Sequence, residues 1–445
     1  MTRKRPCLPV SFEHANGLIH CGTVSSVSRD IVSLAGPSLR AGDVVAFGDE
    51  PSEYKIAAQV TRVNAHGATC VPLTDIDGLR VGDPYRCEGG RVGAYVGAAL
   101  LGRELDAWGR NLASQPCVGA MVIPLRSGPV PAGVRVPIRQ VLRTGVAAID
   151  AFATIGAGQR IAIVAGAGVG KTTLLHTLVE HADVDVRVVA LIGERGRELE
   201  EASRRLRSSP HWDSTSLYCT TSDARPSERY AAARSATAQA EWLCRNGRRV
   251  LLAVDSMTRV AQAWRETALS AGEPPAARGH PPSLVRALAA LLERAGARTD
   301  GSITAIYTVL VEGDDPNEPV TDALRAMLDG QIALSRAHAD AGCHPAIDVL
   351  RSLSRVMPDI VSAGHAADAA LVRRALSTLE DASDLMAVGA YREGNDEWLD
   401  TCVESRDQIE ALIFSDAAHG SDPVVELAAI AQHLRRTPVP SPVRA

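Results

Sequence analysis

Residues 161–173 read Ile-Ala-Ile-Val-Ala-Gly-Ala-Gly-Val-Gly-Lys-Thr-Thr, an apolar run that breaks into alternate glycines and closes on Gly170-Lys171-Thr172. Each residue type there serves anion chemistry. Gly166, Gly168 and Gly170 let the main chain curl until successive N–H groups converge, a cradle for phosphate oxygens. A helix starting at Lys171 aims the positive end of its dipole at the same anion. The Lys171 ammonium neutralises terminal phosphates, and the Thr172 hydroxyl is a ligand for Mg2+. Ala165 stands where the strictest form of the phosphate-binding loop has its first glycine. The apolar strand before and the helix after supply the context that such a loop needs. Lysine is scarce, with Lys4, Lys55 and Lys171 beside 44 arginines, which argues against an accidental lysine here. The segment predicts a nucleotide-binding protein.

Hydrolysis also needs a held metal and an aimed water. In a parallel sheet the ligand lies at the carboxyl edge, so the remaining groups should end neighbouring strands. Two strands do end on a carboxylate. Residues 248–255 form an apolar run closing on Asp255, the form expected of a magnesium-supporting residue. Residues 188–194 end on Glu194 after a glycine that gives it room, and Glu194 is placed to orient or deprotonate the attacking water. The plainer alternatives are an arginine-paired carboxylate for Glu194, beside Arg195 and Arg197, and a helix cap for Asp255.

These groups must be positioned by alternating elements. Short apolar runs at 161–165, 186–192, 250–254 and 303–311 alternate with helical segments at 171–181, 227–245, 257–269 and 284–295. That alternation predicts an α/β core with a parallel sheet covered on both faces. Before it, residues 17–91 carry short strands (22–27, 31–34, 44–47, 57–63) broken by Gly, Pro and Asp turns, the texture of a small β-barrel. A Gly/Pro-rich connector spans 127–137. After residue 358 only helical spacing is left, at 366–379, 397–412 and 423–434, ahead of a Pro-rich tail without expected structure. The expected domains are 1–95 (barrel), 96–357 (nucleotide-binding), 358–436 (helical) and 437–445 (tail).

Composition removes several functions. The chain has 445 residues, and its apolar runs are far shorter than the roughly 18–20 residues of a membrane span. Residues 1–5 are basic but lack a signal's apolar core, which predicts a cytoplasmic chain or one held at a membrane by a partner. With 47 basic against 52 acidic residues, coating nucleic acid is not its main task. The excess acid sits in residues 356–445, with 7 basic and 15 acidic side chains, either a solvated face or a docking surface for a basic partner. Nine cysteines without paired spacing read as reduced thiols. His338, Asp340, Cys343 and His344 cluster in sequence, but no second ligand pair suggests a zinc site.

The motifs resemble those of the type III protein secretion ATPases, relatives of the catalytic subunit of rotary ATP synthases. The resemblance rests on Leu191-Ile-Gly-Glu-Arg-Gly-Arg-Glu198, Asp255-Ser-Met-Thr-Arg259, Gly272-Glu-Pro-Pro275, Gly301-Ser-Ile-Thr-Ala305, Glu312-Gly-Asp-Asp315, Leu328-Asp-Gly330 and Pro345-Ala-Ile-Asp348. It implies a β-barrel, a RecA-like P-loop NTPase core and a C-terminal helical domain, assembled as a homohexamer that hydrolyses ATP with Mg2+. The implied work is chaperone release, unfolding and export of secreted proteins. Implied partners are a central stalk, a peripheral stator, chaperone–substrate complexes and the inner-membrane export gate, with the ring peripheral to the bacterial inner membrane. Thr221-Ser-Asp-Ala-Arg-Pro-Ser-Glu228 resembles the virulence injectisome members more than the flagellar ones. By matching positions, Lys171 and Glu194 are catalytic, and Arg355 is a finger reaching the neighbouring subunit's site. Nucleotide contacts fall to Gly166, Ala167, Gly168, Val169, Gly170, Lys171, Thr172, Thr173, Arg195, Asp255 and His344, with Thr172 and Asp255 on the metal.

Two positions depart from the family pattern. His344 stands where a tyrosine usually stacks on adenine, and its smaller ring predicts weaker discrimination between ATP and GTP. His280 likewise replaces a tyrosine before two prolines, with no effect we can derive. Two other readings compete. A ring-shaped nucleic-acid translocase would want stacking aromatics in the amino-terminal domain, where only Phe12, Phe47, Tyr54 and Tyr85 precede Tyr95. A catalytic ATP synthase subunit would favour Gly-Glu-Arg-Thr over the Gly-Glu-Arg-Gly at 193–196.

Overall fold

Strands that alternate apolar with polar residues bury one face each, and closing the sheet on itself buries all of those faces together. The amino-terminal strands do this in the computed structural model. The structure describes residues 8–11, 20–36, 39–47, 56–113, 115–125, 130–311, 319–415 and 421–438. Strands β1 (His20–Val27), β2 (Val32–Ala35), β3 (Asp43–Phe47), β4 (Ile56–Asn64), β5 (Gly67–Pro72) and β6 (Pro84–Val96) follow the order β6-β1-β2-β5-β4-β3. β3 pairs back onto β6, which closes a six-stranded antiparallel barrel around Val24, Leu34, Val45, Phe47 and Tyr85. The Glu312-Gly-Asp-Asp315 motif, the basic residues 1–5, Phe12, Tyr54 and most of the tail at 437–445 lie outside the described residues.

The central sheet is built from β7 (Arg103–Leu105), β8 (Arg160–Ala165), β9 (Val186–Glu194), β10 (Thr215–Thr221), β11 (Arg249–Asp255), β12 (Ser302–Leu310), β13 (Gly330–Leu334) and β14 (Ile347–Ser354). Across it the order is β14-β13-β8-β12-β11-β9-β10-β7. Every neighbour pair in that order is parallel except β13–β14. Four of these strands were not marked by apolar runs. β10 is Thr-Ser-Leu-Tyr-Cys-Thr-Thr, yet nearly all of it is buried, because it lies between β9 and β7 and under a covering helix. Ser216 Oγ donates to Leu100 O at 3.0 Å, and the Gln239 carboxamide of the covering helix lies 3.4 Å from it.

Helices cover both faces. Those that matter for the site are α1 (Lys171–His181), α2 (Gly196–Arg207), α3 (Pro226–Arg245), α4 (Met257–Ser270) and the short α5 (Arg336–Asp340). Beyond Ser354 the described residues contain no strand. Helices α6 (Ala363–Asp381), α7 (Glu397–Ile413) and α8 (Pro423–Leu434) pack on one another around Val372, Trp398, Cys402, Ile409 and Leu427.

Polar bolts join the three parts. At the root of α3, Arg225 Nη2 is 2.9 Å from Asp75 Oδ1 of the barrel, and Ser227 Oγ donates to Pro72 O at 2.6 Å. From α6, Arg373 donates to the carbonyls of Val349, Phe152 (2.8 Å) and Ser352 (3.1 Å), and the His365 ring meets Ala151 O at 2.8 Å. The described cysteines are all free thiols.

Candidate nucleotide site

The loop from Gly166 to Gly170 joins β8 to α1, and β8 lies between β12 and β13 with every residue after Arg160 buried. Gly168 and Gly170 have φ of 78° and 97°, which L side chains rarely adopt, and a Cβ on either would meet no atom within 4 Å. The cradle's front is therefore bare main chain facing open space. Behind it Val169 packs on Ala165 and Ala346, and the Ala167 carbonyl accepts Arg336 Nη2 at 3.2 Å.

Three strand ends converge beside this loop. Asp255 ends β11 and is wholly buried. Its Oδ2 accepts the Thr172 hydroxyl at 3.0 Å, its Oδ1 accepts the Thr308 hydroxyl at 2.6 Å, and Lys171 Nζ lies 3.6 Å from Oδ1. Two hydroxyl donors and an ammonium thus supply the polar partners that a buried carboxylate needs. Neighbouring β9 ends on Glu194, which is ion-paired with Arg259 one turn into α4. Burial pushes the Glu194 carboxyl above its ordinary range; the Arg259 bond opposes that rise and the Asp255 charge adds to it. Gly193 makes the Arg259 approach possible, since it has φ 69° and a Cβ there would sit 3.0 Å from Arg259 Cδ.

Lys171, Thr172, Glu194 and Asp255 are thus brought together at the carboxyl edge of the sheet, with Gly166, Ala167, Gly168, Val169 and Gly170 forming the loop beside them. Thr173 is exposed on the first turn of α1. Arg195 is largely exposed just past Glu194, with Nη1 3.8 Å from Glu198. His344 is exposed after α5, two residues ahead of the Ala346 that packs on the loop. Its neighbours in sequence do not make a metal site: among the described residues, no group of three His, Cys, Asp or Glu side chains is placed to hold one. The His338 ring instead stands edge-on to Phe414 of α7's end, at 5.2 Å.

Arg355 is not part of this gathering. It follows β14, and its N–H donates to Asp329 O at 2.9 Å, beside the start of β8. The phosphate loop follows the end of that same strand. The six residues of β8 separate the two by about 20 Å of strand. Sequence reasoning left two contributors without a role. Thr308 was visible as one hydroxyl inside an apolar run, and Arg259 as the last residue of the Asp255 motif, but neither contact follows from spacing alone.

Comparison with known proteins places the chain in a family. Residues 145–354 match the ATP synthase alpha/beta family nucleotide-binding domain, and residues 361–429 match the T3SS EscN ATPase C-terminal domain. The SPI-2 type 3 secretion system ATPase of Salmonella typhimurium is 40% identical over 89% of this chain and 91% of its own. The flagellum-specific ATP synthase of Treponema pallidum is 38% identical over 92% of each. The assembled ATPase EscN of the enteropathogenic E. coli type III secretion system superimposes with a TM-score of 0.86 at 36% identity, covering 92% of this chain and 100% of that one. EscN in complex with its central stalk EscO gives a TM-score of 0.82 at 35% identity, covering 93% and 100%. No helix among the described residues is long and apolar enough to cross a membrane. A barrel, a RecA-like nucleotide core and a helical carboxyl-terminal region, matched along nine-tenths of their length, place this chain in the type III secretion and flagellar export ATPase family, a secretion ATPase acting on nucleotide.

Proposed function

We propose that the chain is the ATP-hydrolysing motor of an injectisome-type secretion system, working as a homohexamer whose nucleotide sites are shared between neighbours. The observation that carries the proposal is the separation of Arg355 from the phosphate loop by the length of β8, on a chain whose other catalytic groups sit together. A guanidinium at that edge serves no nucleotide held by its own loop. It serves one held by an adjoining copy, where it lends positive charge to the phosphoryl transition state only when the subunits close.

Lys171 and the loop amides hold the triphosphate, with Thr173, Arg195 and His344 at its margins. Glu194 takes a proton from the water that attacks the γ-phosphorus, and the burial that raises its carboxyl above the ordinary range makes it a stronger base. Arg259 holds that carboxylate in place and opposes the rise in its pKa. The Thr172 hydroxyl and the Asp255 carboxylate, 3.0 Å apart, are hard oxygen donors of the kind magnesium prefers, so they fit the ion. When bound, Mg2+ neutralises charge on the transferring phosphate. The domain limits at 95/96, 357/358 and 436/437 belong to the same proposal.

EscN forms a complex with a central stalk, and we extend such a stalk to this ring, with a stator, chaperone–substrate complexes and the export gate as further partners at the bacterial inner membrane. Chaperone release and unfolding are the work that hydrolysis drives. The EscN-type carboxyl-terminal match supports the injectisome assignment. A flagellar export role is the second reading, favoured by the likeness to the Treponema protein; loss of swimming rather than of effector secretion in a deletion strain would select it.

The test mixes two inactive variants, Glu194→Gln and Arg355→Ala. Some interfaces in the mixture regain both groups, so hydrolysis returns in part as protein concentration rises. A mixture that stays inactive while both variants assemble refutes the shared site.

A further inference from the structure

Arg355 leaves the sheet from a main chain that is gripped at its root. The carboxylate of Asp329, one residue before β13, takes three N–H groups of Arg160: the main-chain N at 3.0 Å, Nε at 3.2 Å and Nη2 at 3.3 Å. Asp329 N donates back to Arg160 O at 2.8 Å. The Asp329 carbonyl then receives Arg355 N at 2.9 Å and Gln159 Nε2 at 3.1 Å, and the same Gln159 amide lies 3.0 Å from Ser354 Oγ. Arg160 is itself braced, with Nη1 2.5 Å from Glu293 Oε1, while Glu293 Oε2 takes Arg135 Nη1 at 2.7 Å. There is no slack between β13 and β14 either: a Cβ on Gly330 would lie 2.2 Å from Leu353 O.

We propose that Asp329 is a positioning residue for hydrolysis at the adjoining subunit's site, its carboxylate, clasped by Arg160, fixing the main chain from which Arg355 reaches that site. The proposal rests on the shared-site reading above. A long exposed guanidinium stabilises a transition state only if its base is fixed, because an ångström of misplacement costs up to about 10²-fold in rate. Arg160 also opens β8, the strand that ends in the chain's own phosphate loop. One guanidinium therefore ties the cradle a subunit keeps to the residue it lends.

The experiment reads steady-state ATP turnover per Glu194-bearing subunit for Asp329→Asn alone and mixed with an equal amount of Glu194→Gln protein. Alone, Asp329→Asn lowers kcat about tenfold with KM for ATP changed less than about twofold, since its own cradle is intact. In the mixture its intact Glu194 sites meet wild-type Asp329 and Arg355 from the partner, and turnover per such subunit rises at least about threefold. A defect confined to the variant's own fold cannot be relieved in this way. Arg355→Ala mixed with Glu194→Gln runs beside it. If that control recovers and Asp329→Asn does not, the positioning role is wrong; if neither recovers, the shared-site reading fails and takes this one with it. Should Asp329→Asn not assemble, Arg160→Lys keeps the charge, loses the fork and is read identically.

Discussion

The two edges of the central sheet differ in kind. At the carboxyl edge, Lys171, Thr172, Asp255 and Glu194 come from three strand ends and bond to each other or to Thr308 and Arg259. At the amino edge, Asp329, Arg160, Glu293 and Gln159 bond to each other and leave Arg355 with its side chain exposed. The first is built to hold something; the second is built to hold a side chain out. Strand order explains both, because in a parallel sheet all the chain turns that can cradle a ligand fall on one side, and the antiparallel β14 returns Arg355 to the other.

Substitutions at the two edges should therefore fail differently. Lys171→Ala at the carboxyl edge should lower kcat/KM by about 10³-fold or more and weaken nucleotide binding, read by phosphate release and a nucleotide titration. Arg355→Ala should lower kcat by about 10³-fold while nucleotide affinity stays within about threefold; an equal collapse of affinity would erase the distinction between the edges.

Acid sensitivity sharpens the picture on the holding side. His176 of α1 is pushed down from 6.5 to about 4, first by burial and then by the charge of Arg205. The unfolded chain takes up this proton below pH 6.5 and the folded chain does not, so stability drains away as the pH falls from 6.5 towards 4. The loss is on the order of 2–3 kcal/mol, and His176→Gln should flatten it in melting curves recorded at pH 7 and pH 5. Arg259→Gln removes the one strong influence lowering the Glu194 pKa, so the acid limb of the pH–rate profile should move to higher pH. An unmoved limb would mean Glu194 is not the titrating base. Smallest of all, Arg143→Ala breaks an exposed pair with Asp422 of the helical region and should cost less than about 1 kcal/mol in urea unfolding, with turnover unchanged.

Local chemistry was legible in the sequence and long-range bonding was not. The phosphate loop, Glu194 and Asp255 announce themselves because glycine spacing and a carboxylate closing an apolar run are contiguous signals. The carboxyl-terminal helices show in periodicity for the same reason. β10 escaped because it is buried by the strands on either side of it rather than by an apolar run of its own. β7 has three residues and β13 five, too short to show a pattern. Asp329 lies 169 positions from the Arg160 that it binds, and no spacing rule links them. The match with family motifs named Arg355, but only the strand register reveals that it stands at the far end of β8 from its own loop.

Arg373 carries a mechanical consequence. Its guanidinium spends its donors on the carbonyls of Val349 and Ser352 in β14 and of Phe152 beneath. Helix α6 and the last strand are thereby welded into a single lever. A load applied to the helical bundle is passed to the strand from whose end Arg355 begins.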